Sequence, residues 1–534
     1  MKKLSLLDNL INYSHSDYYP FHMPGHKRTP LGFPDPWSID ITEIDGFDNL
    51  HHAEGILKDL QEQAARLFGA RRSFCLVNGS TCGILTAISA CVKPGGRLLM
   101  ARNCHKSAYH GVYLRNITPV YVMPEATDFG IMGSLSPDTV ARALEEHPDV
   151  QAVLVVSPTY DGVVSDIDRI AQIAHVHGIP LIVDEAHGAH LPLAGKFPAP
   201  ASAEDTVCSL ESAGSGADSI YFPASALACG ADIVIHSLHK TLPAFTQTAL
   251  LHINSDLVDE TAIRRFLGIY QSSSPSYLLM ASMDQCFHLL EEDGQQLFAA
   301  LRQQLWDFYR KCDTLTGIRL FSGAKEEGCF AQDPSKLLIS AEGLGLSGQA
   351  LYHILLENYH LQFEMASGHY ALALASLMDR PEGFSRLFDA LAELDKGCNI
   401  AIRKQNTDLA ENHPRQNIPY QQSLPSQQSL TSRQSLPSQQ SLPSRQSLPY
   451  QLPRQAMTIS EALEQPGTAI RLEDSAGAVS QEYLYLYPPG IPLLAPGERI
   501  DARLLADILS LKKTGLPLEG LSDMTNTMIR VVKG

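Results

Sequence analysis

The sequence predicts an α/β protein with a mostly parallel central sheet and a smaller α+β domain on its C-terminal side. Short aliphatic runs recur at 97–100, 118–122, 152–156, 181–183 and 233–235 with little polar alternation. Strands buried on both faces read this way. Segments of helical spacing lie between them, the order that builds parallel sheets. At 534 residues the chain can bury a large core and divide into more than one domain.

Residues 1–40 are short on periodicity and rich in Pro, Gly and His, which predicts an N-terminal arm. Ile56, Leu57, Leu60, Ala64, Leu67 and Phe68 recur at helical spacing, so a helix is expected over 54–68 and ends at Gly69. Residues 73–77 read as a strand, 78–83 as a turn and 84–92 as a helix. The alternation continues through a major domain over 41–310. Within it, 201–220 is rich in Ser, Ala, Gly and Asp and reads as an inserted surface loop. From Tyr277 the pattern is helical through Asp313, and a smaller domain is expected over 311–415 and 456–534. Between its halves, 416–455 repeats Gln-Ser-Leu-Pro-Ser-Gln, with Gln422, Gln428, Gln434, Gln440 and Gln446 in step. Its prolines and sparse aliphatics leave too little apolar surface to offset chain entropy, so disorder is expected there.

A net charge of −17 argues against nucleic acid or an anionic membrane as partner and mildly favours a cationic substrate. Ten cysteines without a C-x-x-C pair fit a reducing compartment. The N-terminus is broken by polar residues before a signal-type stretch develops, and no run has the length of a membrane span. A cytoplasmic location is expected.

The chemistry concentrates where two buried strands end. Leu181-Ile182-Val183 delivers Asp184-Glu185-Ala186-His187, and Ile233-Val234-Ile235-His236 delivers Ser237-Leu238-His239-Lys240. Ligands of such sheets bind at the carboxyl ends of the strands. An acid and a lysine there are what pyridoxal phosphate needs. The amine bonds its aldehyde, and the acid keeps the pyridine nitrogen protonated so that the ring draws electrons. Burial would lower the pKa of Lys240. Gly79-Ser80-Thr81, between strand and helix, can cup a phosphate with N–H groups and hydroxyls; the same residues also make an ordinary helix start. His105 can stack on the ring or be a plain loop residue. Ala186 is small enough to let the ring lie flat. His187 can reach the phenolic oxygen or merely pack. Ser237 and His239 flank the lysine and can bond the phosphate or assist proton transfer. The pairs His51-His52, His187 with His190, and His236 with His239 lack the spacing of a metallopeptidase or a cysteine partner, so no metal is expected.

These residues resemble those of the Orn/Lys/Arg decarboxylases. The likeness is carried by Phe21-His22-Met23-Pro24-Gly25-His26-Lys27-Arg28, Glu43-Ile44-Asp45-Gly46, Leu50-His51-His52, Asn78-Gly79-Ser80-Thr81, Asp184-Glu185-Ala186-His187-Gly188 and Ser237-Leu238-His239-Lys240-Thr241-Leu242. Tyr487-Pro488-Pro489-Gly490-Ile491-Pro492-Leu493-Leu494 and Pro496-Gly497-Glu498 resemble the family's last domain. The short bacterial arginine decarboxylases, without a flavodoxin-like domain before the His-Met-Pro-Gly-His motif, are the nearest in pattern. The resemblance implies the aspartate-aminotransferase fold (fold type I) and pyridoxal phosphate on Lys240, with Asp184 at the pyridine nitrogen and His105 over the ring. It places Ser80, Thr81, Ser237 and His239 at the phosphate. It also implies a homodimer or higher homo-oligomer, in which the partner's 272–276 segment approaches the phosphate, and Glu498 as a carboxylate for the substrate cation. The expected reaction is α-decarboxylation of a basic amino acid, L-arginine to agmatine and CO₂ in polyamine synthesis, with Lys240 or His239 returning a proton to Cα. Lysine or ornithine as substrate, an aminotransferase or lyase on the same fold, and a non-catalytic paralogue are the alternatives.

Overall fold

In the computed structural model, the described residues are 5–197, 220–323, 326–408, 452–486, 491–513 and 518–533. Most of the expected inserted loop, the repeat up to residue 451 and residues 487–490 lie outside them.

Seven runs pair into the central sheet: β1 (Arg72–Leu76), β2 (Arg97–Ala101), β3 (Thr118–Val122), β4 (Val150–Val156), β5 (Leu181–Asp184), β6 (Ile233–Ser237) and β7 (Ala249–Ile253). Their order is β1-β7-β6-β5-β4-β2-β3. Every pairing is parallel except those of β7, which is antiparallel to both neighbours. Every residue of β5, β6 and β7 is buried, so both faces are covered, as the unbroken apolar runs require.

Two local differences from expectation have physical causes. Strand β7 follows Ser237 after one short helix, Leu238–Thr241, and returns antiparallel, which the strand–helix alternation did not foretell. The helix expected from residue 84 begins at Gly79 and runs to Cys91. Gly83 reads as a turn residue but serves packing: a Cβ there would stand 2.8 Å from Leu76 Cδ1 and 3.1 Å from Ile235 Cγ2. The helix lies that close to the sheet.

The N-terminal segment is not a simple arm. It contains the helix Leu6–Ser14 and the strand Tyr19–Phe21, which pairs in parallel with Leu361–Phe363. The long helix Tyr277–Cys312 follows the sheet. Beyond it, Arg319–Leu320, Lys336–Ser340, Ala371–Leu374 and Met365–Ala366 form an antiparallel sheet accompanied by the helices Gly348–Tyr359 and Pro381–Asp408. Residues after 452 enclose a separate core that includes Leu484, Leu494, Ile500, Ile508 and Ile529. Among the described residues, no helix is long and apolar enough to cross a membrane.

Candidate active site

Strand register gathers the expected residues at one sheet edge. Leu76 and Ser237 both pair with Ala249, which puts the turn after β1 beside the end of β6. Asp184 pairs with Ile235 on one side and Val156 on the other. Thus Gly79–Thr81, Asp184–His187 and Ser237–Lys240 leave the sheet together, and His105 follows β2 on the same side.

Lys240 sits on the short helix Leu238–Thr241, and its Nζ lies 2.9 Å from His187 Nε2. Burial lowers its pKa to about 8; the charge of Asp184 opposes that shift. Burial likewise pushes the Asp184 carboxyl up, with Lys240 opposing. That carboxyl accepts one hydrogen bond among the described residues, from the Ala186 N–H at 3.2 Å. His105 caps the helix Lys106–Leu114 by accepting the Ser107 N–H at Nδ1. Burial, aided by Lys240, holds His105 down at about 3, and His187 falls well below the usual imidazole range for the same reasons. Burial lowers His239 to about 4 while its Nδ1 lies 3.0 Å from Thr248 O. The cluster therefore holds neutral imidazoles around one depressed amine and one buried carboxyl.

The donor set fits pyridoxal phosphate. Ser237 Oγ, Thr241 Oγ1 and His187 Nδ1 are buried with no hydrogen-bond partner among the described residues, and such groups are costly unless a ligand satisfies them. The helix Gly79–Cys91 has no side-chain N-cap: Asn78 Oδ1 instead accepts the Ser272 N–H at 3.2 Å. Its first N–H groups can serve an anion, with Ser80 half-buried and Thr81 exposed beside them. Asp184 can hold a pyridinium. Ser272 thus lies beside Asn78 in the same chain, where His51 Nε2 also meets Ser272 O at 2.7 Å.

The model of "Orn/Lys/Arg decarboxylase, major domain" matches residues 5–329, and that of the family's C-terminal domain matches residues 441–518. The chain belongs to the Orn/Lys/Arg decarboxylases. It is 29% identical over 524 residues to an arginine decarboxylase of Bacillus subtilis (strain 168), covering 96% of this chain and 94% of that one. It is 32% identical over 519 residues to the uncharacterized protein YaaO of the same organism, covering 94% of each. The Francisella novicida lysine decarboxylase shares the fold with a TM-score of 0.70 at 19% identity, over 98% of this chain and 80% of that one. The fold is the aspartate-aminotransferase type, fold type I, and the family's members are amino-acid decarboxylases.

Family membership makes the placement of Glu498 informative. It was expected at the substrate cation. Instead both of its oxygens contact Arg102, at 2.8 and 3.0 Å, and one also accepts the Ala495 N–H. Both side chains are buried, and the pair joins the loop after β2 to the last domain. A substrate would have to break a two-pronged buried ion pair to use this carboxylate, so we correct the assignment to a structural one.

The histidine pairs are also committed elsewhere. His236 Nε2 lies 2.7 Å from Glu185, and His190 Nε2 lies 3.2 Å from Asp333. Among the described residues no group of three or more His, Cys, Asp or Glu could hold a metal.

Three features at the site were not foreseen. The family's His-Met-Pro-Gly-His motif braces the lysine loop: the Gly25 N–H donates to His239 O at 2.7 Å, and a Cβ on Gly25 would lie 2.7 Å from the Leu242 backbone. Lys27 is buried and donates to His22 O and Leu374 O, tying the motif to the smaller domain. Tyr160 packs edge-on against His187 at 4.8 Å and donates to Glu364 at 2.6 Å. For Glu364, the available signal was the alternation Leu361-Gln362-Phe363-Glu364-Met365, buried at every second residue.

Proposed function

We propose that this chain is a pyridoxal-phosphate-dependent decarboxylase of L-arginine, releasing agmatine and CO₂. One observation carries the reading: a buried lysine amine lowered to about 8 stands in one cluster with the buried carboxyl of Asp184. When bound, pyridoxal phosphate supplies an electron sink for the bond broken at Cα. Lys240 Nζ would attach the aldehyde, and Asp184 would keep a proton on the pyridine nitrogen. Ala186 and His105 would bound the two faces of the ring, and His187 would serve its phenolic oxygen. The Gly79–Thr81 N–H groups and hydroxyls, Ser237 and His239 would hold the phosphate. Lys240, or His239 beside it, delivers a proton to Cα after CO₂ has gone. Arginine is favoured over lysine because the full-length likeness to arginine decarboxylases is 29%, against 22% for the inducible lysine decarboxylase of Escherichia coli (strain K12).

The reading includes a homodimer. The helix Leu6–Ser14 buries nothing, and Leu6, Leu7 and Leu10 are 77, 65 and 55% exposed. Trp37 is 89% exposed in the same N-terminal segment. Large apolar side chains left exposed on both of these N-terminal helices, Leu6–Ser14 and Pro36–Ile39, support a partner-covered surface. Light scattering should give a mass of at least two chains.

The deciding experiment offers L-arginine, L-lysine and L-ornithine to the holoenzyme, with the amine identified by mass and CO₂ counted. Agmatine equimolar with CO₂ is expected. Cadaverine or putrescine as main product overturns the substrate assignment, and a ketoacid without CO₂ overturns the decarboxylase reading.

A further inference from the structure

A file of four buried polar side chains crosses the central sheet. Ser73 of β1, His252 of β7 and His236 of β6 stand on neighbouring strands, and Glu185 follows the end of β5. Ser73 Oγ lies 2.7 Å from His252 Nδ1, His252 Nε2 lies 3.0 Å from His236 Nδ1, and His236 Nε2 lies 2.7 Å from Glu185 Oε2. The other Glu185 oxygen accepts the Ala226 N–H at 2.9 Å. Every nitrogen of both rings is engaged. None of the four residues is more than 5% exposed. Phe68, which ends the helix Ile56–Phe68, packs on both imidazoles with ring centroids 5.6 and 5.3 Å away.

Such a file is costly in a core that aliphatic side chains could fill, and it stands only while each group is satisfied. Burial keeps both imidazoles far below their usual range, so both are neutral. Two neutral imidazoles in contact share one N–H, so one donates and the other accepts. The protons along the file therefore all point one way, toward Glu185 or away from it. A break anywhere leaves a buried group without a partner. The file also braces the site from behind. Side chains alternate across a strand, so His236 faces away from Ile235 and Ser237. Ile235 faces the helix Gly79–Cys91, and Phe68 covers the opposite face. Asp184 pairs with Ile235, so the His236–Glu185 contact ties the two strands one residue further on. Its members are the chain neighbours of Asp184 and of Ser237. A Cβ on Gly188 would lie 2.7 Å from Glu185 Cγ, so the turn after Glu185 has no slack.

We propose that Ser73, His252, His236 and Glu185 form a positioning relay that fixes the ends of β5 and β6 against each other, and through them the Asp184 carboxyl against the Lys240 amine. The four act through their chain neighbours and not on the reacting atoms. The inference rests on the cofactor reading above, in which that acid and that amine grip opposite ends of one rigid ring. A misplacement of about 1 Å between them is enough to cost about a hundredfold in rate.

The test compares the wild type with His236→Leu, which breaks the file, and with His236→Gln, whose amide keeps a donor for Glu185 and an acceptor for His252. Absorbance titration gives the affinity of each cofactor-free protein for pyridoxal phosphate. Circular dichroism of the bound cofactor's visible band reports how the ring is seated. In His236→Leu the affinity should fall about tenfold, the band should weaken or shift, and kcat should fall about ten- to hundredfold with KM for L-arginine within about twofold. His236→Gln should recover most of all three. A cooperatively melting His236→Leu with wild-type affinity, dichroism and kcat overturns the proposal. So does a folded His236→Gln as impaired as His236→Leu, because the hydrogen bonds would then not be what matters. Should His236→Leu not fold, crystal structures of the wild type with and without cofactor decide. Asp184 and Lys240 should keep their places wherever the file is intact; a displaced pair beside an intact file, or an undisplaced pair beside a broken one, overturns the relay. Wild-type protein that takes up no pyridoxal phosphate defeats the cofactor reading itself, whereas wild-type uptake with unaffected variants defeats the relay alone.

Discussion

At Lys240 two effects oppose each other. Burial favours the neutral amine, and the nearby Asp184 carboxylate favours the ammonium. Burial wins, and the result near 8 leaves about a tenth of the amine neutral at pH 7, where an ordinary lysine leaves almost none. Capture of pyridoxal phosphate by the cofactor-free protein should therefore quicken about tenfold per pH unit up to about 8 and level off above it. Stopped-flow absorbance across pH 6 to about 10 reads this directly; a rate still climbing at the upper end would contradict the buried amine. Asp184→Asn removes the charge that raises the lysine pKa, so the same profile should shift to lower pH. Its kcat should drop by about a hundredfold or more, since the ring nitrogen loses its anionic partner. Lys240→Ala should lose the cofactor's bound absorbance and all measurable turnover.

At the scale of elements, the loop carrying Lys240 is shaped by a segment more than two hundred residues earlier. Gly25 lies so close to the Leu242 backbone that a methyl group there must displace one chain or the other. Gly25→Ala should cost roughly 1–3 kcal/mol in denaturant unfolding and lower activity along with it, because the displaced backbone bears the reactive amine. Much of this site was legible beforehand. An acid and a lysine that break buried apolar runs are conspicuous, and strand order then brings them to one edge. Strand β7 escaped because a five-residue run broken by His252, after a short helix, looks like loop or helix until its antiparallel partners are known. Glu364 escaped because its alternation is too brief to stand out beside the helix Gly348–Tyr359. Glu498 was misplaced because its partner, Arg102, is 396 residues away, a separation that no local pattern encodes.

At the scale of the whole molecule, that same pair holds the last domain against the major one. Removing one member of a buried ion pair strands the other charge. Arg102→Met should cost roughly 3–5 kcal/mol, seen as a lower urea midpoint or as separate early unfolding of residues after 452. The double variant Arg102→Met with Glu498→Leu should recover most of that loss, because both desolvated charges are gone. A double variant no more stable than the single one would show that the contact does more than neutralise charge.

The bracing around Lys240 also has a consequence for biosynthesis. Gly25 is held from one side by the His239 carbonyl and from the other by the Ser376 hydroxyl, while the ammonium of Lys27 reaches the Leu374 carbonyl. A chain made from its amino end has produced the lysine long before residues 374 and 376 leave the ribosome. The nascent major domain therefore lacks these late clamps on its reactive loop, and cofactor added to stalled chains should be retained firmly only once translation has passed them.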